Sequence, residues 1–250
     1  MFLNHHKKSN AVGFTLLELL IVIGIMVILG TVLVLVLNPA EALKKARDNQ
    51  RISDLQTLKT AIGLFITEVS GTNLDLDGTT LSSVCLTNPA GTATANAQIF
   101  YSAPFANDPS CSASLTPGSD AETGSDFSAA DFCRYATAAN YTKVDSNGWI
   151  PVDLTQIRGG SPISNLPLDP TNTIASVNGS IPTSTDFVYR YGCQNGVGTS
   201  STKSAYLFEI DAPLESTTYA GKKTSDGGDN DTFYEVGNSL RILPTETTNW

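Results

Sequence analysis

Between Leu19 and Leu37 the chain carries no charged residue, and only Gly24, Gly30 and Thr31 interrupt a run of Leu, Ile, Val and Met. As a helix, Phe14 to Leu37 would be about 36 Å long at roughly 1.5 Å per residue, more than the roughly 30 Å hydrocarbon core of a bilayer. The run admits three readings: an ordinary secretory signal, a permanent anchor, or a segment that first spans a membrane and then packs against copies of itself. An ordinary signal has an apolar region of about 7–15 residues followed by a small-residue cleavage site. Ala40-Glu41-Ala42 offers such a site, but the run before it is too long and Glu18 sits inside its start.

Glu18 narrows the choice. A carboxylate among leucines costs about 2.5–3.5 kcal/mol at bilayer depth unless it is paired or near the headgroups. One reading is an acid at the helix end, tolerated at the interface. The other gives it a partner. If the chain is cut after Gly13, Phe14 carries a new α-amino group one helical turn from Glu18. That amine, on a neighbouring copy, would pair with the carboxylate as helices bundle, and a paired charge is tolerated where a lone one is not.

The residues around this junction are specific. Lys7-Lys8, then Gly13-Phe14-Thr15-Leu16-Leu17-Glu18-Leu19-Leu20-Ile21-Val22, resembles the class III signal of type IV pilins and type II secretion pseudopilins. The resemblance implies cleavage between Gly13 and Phe14 by a membrane prepilin peptidase, N-methylation of Phe14, and an assembly role for Glu18. It implies as partners other copies of the chain, related pilins and an inner-membrane assembly platform. The motif covers residues 7–37, and a similar helical style continues to about residue 70. One departure is that many pilins place a proline inside the apolar segment, whereas the first proline here is Pro39.

Asn38-Pro39-Ala40-Glu41 reads as a helix restart, with Asn as N-cap, Pro at the first helical position and Glu at the third. Beyond it Ile52, Leu55, Leu58, Ile62, Phe65 and Val69 follow steps of 3, 3, 4, 3 and 4, one face of an amphipathic helix. Lys44, Arg47, Arg51, Asp54 and Lys59 fall at its polar positions. The stripe is expected to pack under a sheet rather than form a free coiled coil. Lys44, Lys45, Arg47 and Arg51 alone would place this end in the cytoplasm, whereas Lys7 and Lys8 argue the opposite. The family resemblance implies the leader inside and the head outside.

From residue 71 onward the composition turns to Ser, Thr, Asn, Asp and Gly, with 19 Asp/Glu against 8 Lys/Arg, a net −11. Such a head is a poor general binder of nucleic acid. Its four cysteines, Cys85, Cys111, Cys133 and Cys193, lie beyond the apolar run and form no C-x-x-C pair. Outside the membrane they read as two disulfides, and four cysteines allow three pairings. Cys111–Cys133 with Cys85–Cys193 is the preferred one, because the first pair is closer in sequence. Free buried thiols are the alternative.

Residues 71–150 give weak periodicity and are expected to form a variable connecting segment. Residues 151–250 are expected to carry the sheet. Prolines 151, 162, 167 and 170 exclude a central strand through the first part of that range. Asp186–Cys193 and Ala205–Ile210 alternate and read as an antiparallel hairpin, with Phe233–Val236 and Ser239–Leu243 as further strands. The expected fold is thus α+β, a long N-terminal helix packed on a C-terminal antiparallel sheet. The domain expectation is a leader at 1–13, a membrane or filament helix at 14–37, an amphipathic helix at 38–70 and a secreted head at 71–250.

The loop 224–231 concentrates Asp226, Asp229 and Asp231 among glycines. Several oxygens on pliable backbone suit Ca²⁺, although the spacing is not that of an EF-hand, and a solvated acidic turn fits as well. Resemblance to major pseudopilins, which carry calcium in a comparable loop, favours these three as ligands. Both histidines, His5 and His6, precede the expected cut, which removes histidine triads and histidine metal sites from a mature chain. No Walker-type loop and no G-x-S-x-G element is present. The expectation is a non-enzymatic filament subunit. The alternatives are a secretion pseudopilin and a membrane-anchored surface binding protein that does not polymerise.

Overall fold

The computed structural model describes residues 13–69, 99–102, 133–134, 140–172, 186–194, 206–240 and 242–243. The chain divides into two compact units, Met1–Leu43 and Lys44–Trp250.

In the first unit, helix α1 runs Leu16–Leu37, 22 residues long. Thr15 caps it: the Thr15 hydroxyl accepts from the Glu18 amide, and the Glu18 carboxylate accepts from the Thr15 amide. This reciprocal pair satisfies donors that a helix start otherwise leaves open. The helix is apolar all round, and side chains from Leu16 to Val34 stand exposed on every side of it, Leu16 at 82% and Ile21 at 50%. It is long and apolar enough to cross a membrane. It ends at Asn38, whose φ of 38° and ψ of 72° lie in the left-handed region, where Asn is tolerated because its side chain bonds locally. Asn38 Oδ1 accepts from the Glu41 amide at 3.4 Å, and Pro39 opens the next helix, as the Asn-Pro-x-Glu pattern predicts.

Helix α2 spans Pro39–Glu68. In the second unit its inner face buries Leu55, Leu58, Ala61, Ile62, Phe65 and Ile66, with Ile52 and Val69 half-buried beside them. The stripe read from the sequence is therefore the core face, and it packs with the sheet. One position departs from expectation. Arg51 does not sit on the solvated side but is completely buried, as is Asp48.

The sheet has five strands in the order β2-β1-β3-β4-β5, built from β1 (Ile99–Tyr101), β2 (Cys133–Arg134), β3 (Arg190–Gln194), β4 (Leu207–Pro213) and β5 (Phe233–Gly237). Four of them, β1, β3, β4 and β5, are antiparallel neighbours, and β2 adds to β1 in parallel. The layout is α+β. Two expectations are corrected. The stretch read as a connecting segment supplies two short strands, β1 and β2. The described residues of Ser239–Leu243 are not a strand: the amides of Ile242 and Leu243 donate to the Glu209 carboxylate instead of to a ladder.

Because side chains alternate along strands, the register sorts the sheet into two faces. Phe100, Tyr191, Ile210 and Val236 are cross-strand partners on one face, and all belong to the core that includes α2. The segment 149–166 closes this core with Trp149, Ile150, Val152, Leu154, Ile157 and Leu166. It does so without strand structure, as its prolines require. Trp149 is fully buried and donates its indole N–H to the Pro167 carbonyl at 3.0 Å. The other face carries Tyr101, Arg190, Asp211 and Glu235 in one cross-strand row.

Candidate functional site

Three places concentrate chemistry. The first is the start of α1. Thr15 donates both its amide and its hydroxyl to Glu18 Oε2, each at 2.9 Å. Glu18 is thus a helix-end acid bound within its own first turn. The signal for this was in the sequence, since Thr15-Leu16-Leu17-Glu18 is a capping box. Gly13 and Phe14 precede the helix as exposed, non-helical residues.

The second is a buried ionic cluster that joins α2 to two loops. Arg51 donates from Nε and Nη2 to the two oxygens of Asp169, at 2.6 and 2.9 Å, and from Nη1 to Asp48 at 2.8 Å. Arg51 Nη1 also lies 2.6 Å from Glu215, which Arg47 holds from its other side at 2.8 and 2.5 Å. Asp48 accepts the amides of Glu215 and Ser216, and Asp169 accepts those of Thr171 and Asn172. Burial alone would lower the Arg51 pKa, but Asp169, Glu215 and Asp48 outweigh it and raise it. Hydrogen bonding from Arg47, reinforced by Arg51, pulls the Glu215 carboxyl down to about 2 against the effect of its burial. The prolines of Pro167-Leu168-Asp169-Pro170 mark a turn in the sequence, but nothing local pairs Asp169 with a residue 118 positions away.

The third lies on the far face of the sheet. Glu209, Asp211 and Glu235 are buried, and one ligand atom of each lies within 4.8 Å of the others. Each carboxylate is fixed from outside. Glu209 Oε2 accepts the Ile242 and Leu243 amides at 2.6 and 2.8 Å. Glu235 Oε2 accepts the Asn230 amide at 3.3 Å. Asp211 takes a bidentate pair from Arg190, through Nε at 2.7 Å and through Nη2, and that guanidinium stacks on the Phe233 ring at 3.8 Å. Burial pushes the Glu209 and Glu235 carboxyls upward, and the hydrogen bond between the two side chains favours the charge on Glu209 and the proton on Glu235. Two glycines make room. A Cβ at Gly228 would stand 1.6 Å from Glu235 Oε2, and one at Gly192 would stand 2.8 Å from the Leu243 side chain. The alternation of β4 makes Glu209 and Asp211 look solvent-facing in the sequence. Residues 242–243 fold over Glu209, and the Arg190 guanidinium pairs with Asp211.

The acidic loop, expected from its composition to offer three ligands, divides its side chains between different tasks. Asp226 accepts the Gly228 amide at 3.0 Å and the Glu235 amide at 2.8 Å, closing the open edge of β5. Asp229 and Asp231 are exposed. Cys193 is buried against the core and disulfide-bonded. Cys85 and Cys111 lie outside the described residues, as does the side chain of Cys133, and with them the expected pairing. No family model, curated protein or solved structure matches this chain.

Proposed function

We propose that this protein is a type IV pilin-like subunit, processed between Gly13 and Phe14, methylated at Phe14 and assembled into a filament through α1. The observation that carries the reading is the Gly13–Glu18 junction leading straight into a 22-residue apolar helix. The exposure of that helix on all sides supports it, because such a surface needs lipid or other copies of itself as its surroundings. In the membrane α1 spans as a single pass with the head outside. In the filament the helices bundle, and Glu18 meets the Phe14 amine of a neighbour. Both hydrogen bonds from Thr15 use Glu18 Oε2, which is compatible with a second partner at Oε1.

The head contributes by shape and durability. A buried core, a fixed ionic cluster and a disulfide at Cys193 suit a protein displayed outside the cell. The acidic loop at 226–231 favours a second reading, a pseudopilin of a type II secretion system. The deciding experiment is mass spectrometry of the mature N-terminus from the native host. The proposal expects N-methylated Phe14, whereas a start at Leu43 would show ordinary signal-peptide removal and overturn it. Sheared surface filaments containing the chain separate a pilus from a secretion pseudopilus.

A further inference from the structure

Three lysines from distant parts of the chain gather around Tyr219. A turn at Thr217–Tyr219 leads into a short helix, α3 (Ala220–Lys223). Asp48 of α2 fixes the start of this turn by accepting the Glu215 and Ser216 amides. The Tyr219 hydroxyl donates to Asn49 of α2 at 2.6 Å. The ring is thereby held beside α2, with Lys45 Nζ 6.0 Å and Lys222 Nζ 5.9 Å from its centre. The ring attracts both cations without neutralising them. Lys45 and Lys222 are exposed, and Lys223 is half-buried next to them. Among the described residues none of the three forms a salt bridge. The neighbouring acids are spoken for: Arg47 and Arg51 hold Glu215, Arg51 holds Asp48, and Asp226 accepts the Gly228 and Glu235 amides. Lys44 adds a further cation beside Lys45, against Glu41 one turn earlier.

This positive patch belongs to a head that is net −11 from residue 71 onward. An anionic surface repels such a head, and the approach costs least where the lysines lie. The patch is also close to the apolar helix along the chain. Helix α2 begins at Pro39, so Lys45 stands only about 9 Å along it, at roughly 1.5 Å per residue. The headgroup layer outside the hydrocarbon core is about 5–8 Å deep, and at physiological salt a charge is felt for about 8 Å more. Lysines beside a tyrosine are the side chains that favour this layer, the amines for its phosphates and the ring for its boundary with the acyl chains.

We infer that Lys45, Lys222 and Lys223, with Tyr219 between them, form a docking surface for the headgroups of anionic phospholipids. It holds this end of the head at the bilayer while α1 spans it, and so rests on the membrane stage proposed for α1.

The test uses the full chain in bilayer nanodiscs of phosphatidylcholine, with and without phosphatidylglycerol, and reads amine labelling of each lysine by mass spectrometry. Phosphatidylglycerol is expected to slow labelling of Lys45 and Lys222 about fivefold or more. Lys59, exposed and about 21 Å further along α2, should label equally in both discs. Raised salt should remove the protection. K222Q/K223Q should return Lys45 toward its rate in neutral discs with the Tm unchanged, because neither lysine enters a salt bridge among the described residues. Three results overturn the inference. Equal labelling of Lys45 and Lys222 in the two discs, with the chain retained in both, removes the lipid contact and leaves the anchoring by α1 standing. Protection that is as strong in neutral discs, or that grows with protein concentration in detergent, shows a second copy covering the lysines instead. A chain that an alkaline wash strips from the discs overturns the spanning of α1, and this inference with it.

Discussion

Arg51 is the residue on which most of the head's buried charge converges. Its guanidinium is the shared partner of Asp48, Asp169 and Glu215. Removing one partner of a buried ion pair leaves uncompensated charge, so R51A is expected to destabilise the head by about 3–5 kcal/mol in chemical denaturation. R51K keeps the charge but not the bidentate geometry toward Asp169 and should fall between R51A and wild type. Glu215 supplies a pH signature for the same cluster. Its folded pKa of about 2 lies below the ordinary carboxylate value, so the unfolded chain binds more protons as pH falls. The stability it contributes is therefore complete above about pH 4.5 and is lost as pH drops toward 2. Thermal melts across that window should show this loss in the wild-type chain and a shallower one in E215Q. None of this could be read from the sequence, because Asp48, Asp169 and Glu215 carry no local mark of a common partner. Arg51 even falls at a polar position of its helix by spacing alone.

At the scale of elements, legibility followed length and period. The steps from Ile52 to Val69 outlined the buried face of α2 because a helix of 30 residues repeats its pattern many times. L58A, at the centre of that face and fully buried, is expected to cost about 2–5 kcal/mol by the same denaturation measurement. Strands β3, β4 and β5 were visible as alternation. By contrast, β1 and β2 have 3 and 2 residues, too few for a period of two to show, and their pairing comes from neighbours distant in sequence. Ser239–Leu243 looked like a strand because it is apolar, but Glu209 claims its amides. Helix starts were legible where side chains cap them, at Thr15 and at Asn38. T15A should leave the first turn of α1 frayed, with faster amide exchange at Glu18 and a cost of about 0.5–2 kcal/mol to the helix end.

For the molecule as a whole, the two units follow from two compositions. A helix without a polar face cannot fold into a water-soluble core of its own, and a head with a net −11 from residue 71 onward cannot insert into lipid. The proposed topology makes an expected outcome at this scale: a reporter fused after Trp250 is active outside the cytoplasmic membrane, and cytoplasmic activity would overturn it. The apolar helix was fully legible, and the class of protein proposed rests on the sequence of the Gly13–Glu18 junction. The chemistry on the far side of the sheet was not, because it depends on which residues cover a strand face, and that is decided by segments more than 30 positions away.

The cover over Glu209 bears on how long such a protein survives once outside. Two consecutive amides, those of Ile242 and Leu243, satisfy a carboxylate oxygen buried on β4. A cut in the segment between β5 and Ile242 would free both donors from Glu209 and uncover Gly192. A buried carboxylate oxygen would then be left without donors, which costs about 1–3 kcal/mol or more. Resistance to proteolysis should therefore depend on how firmly these two amides stay in place.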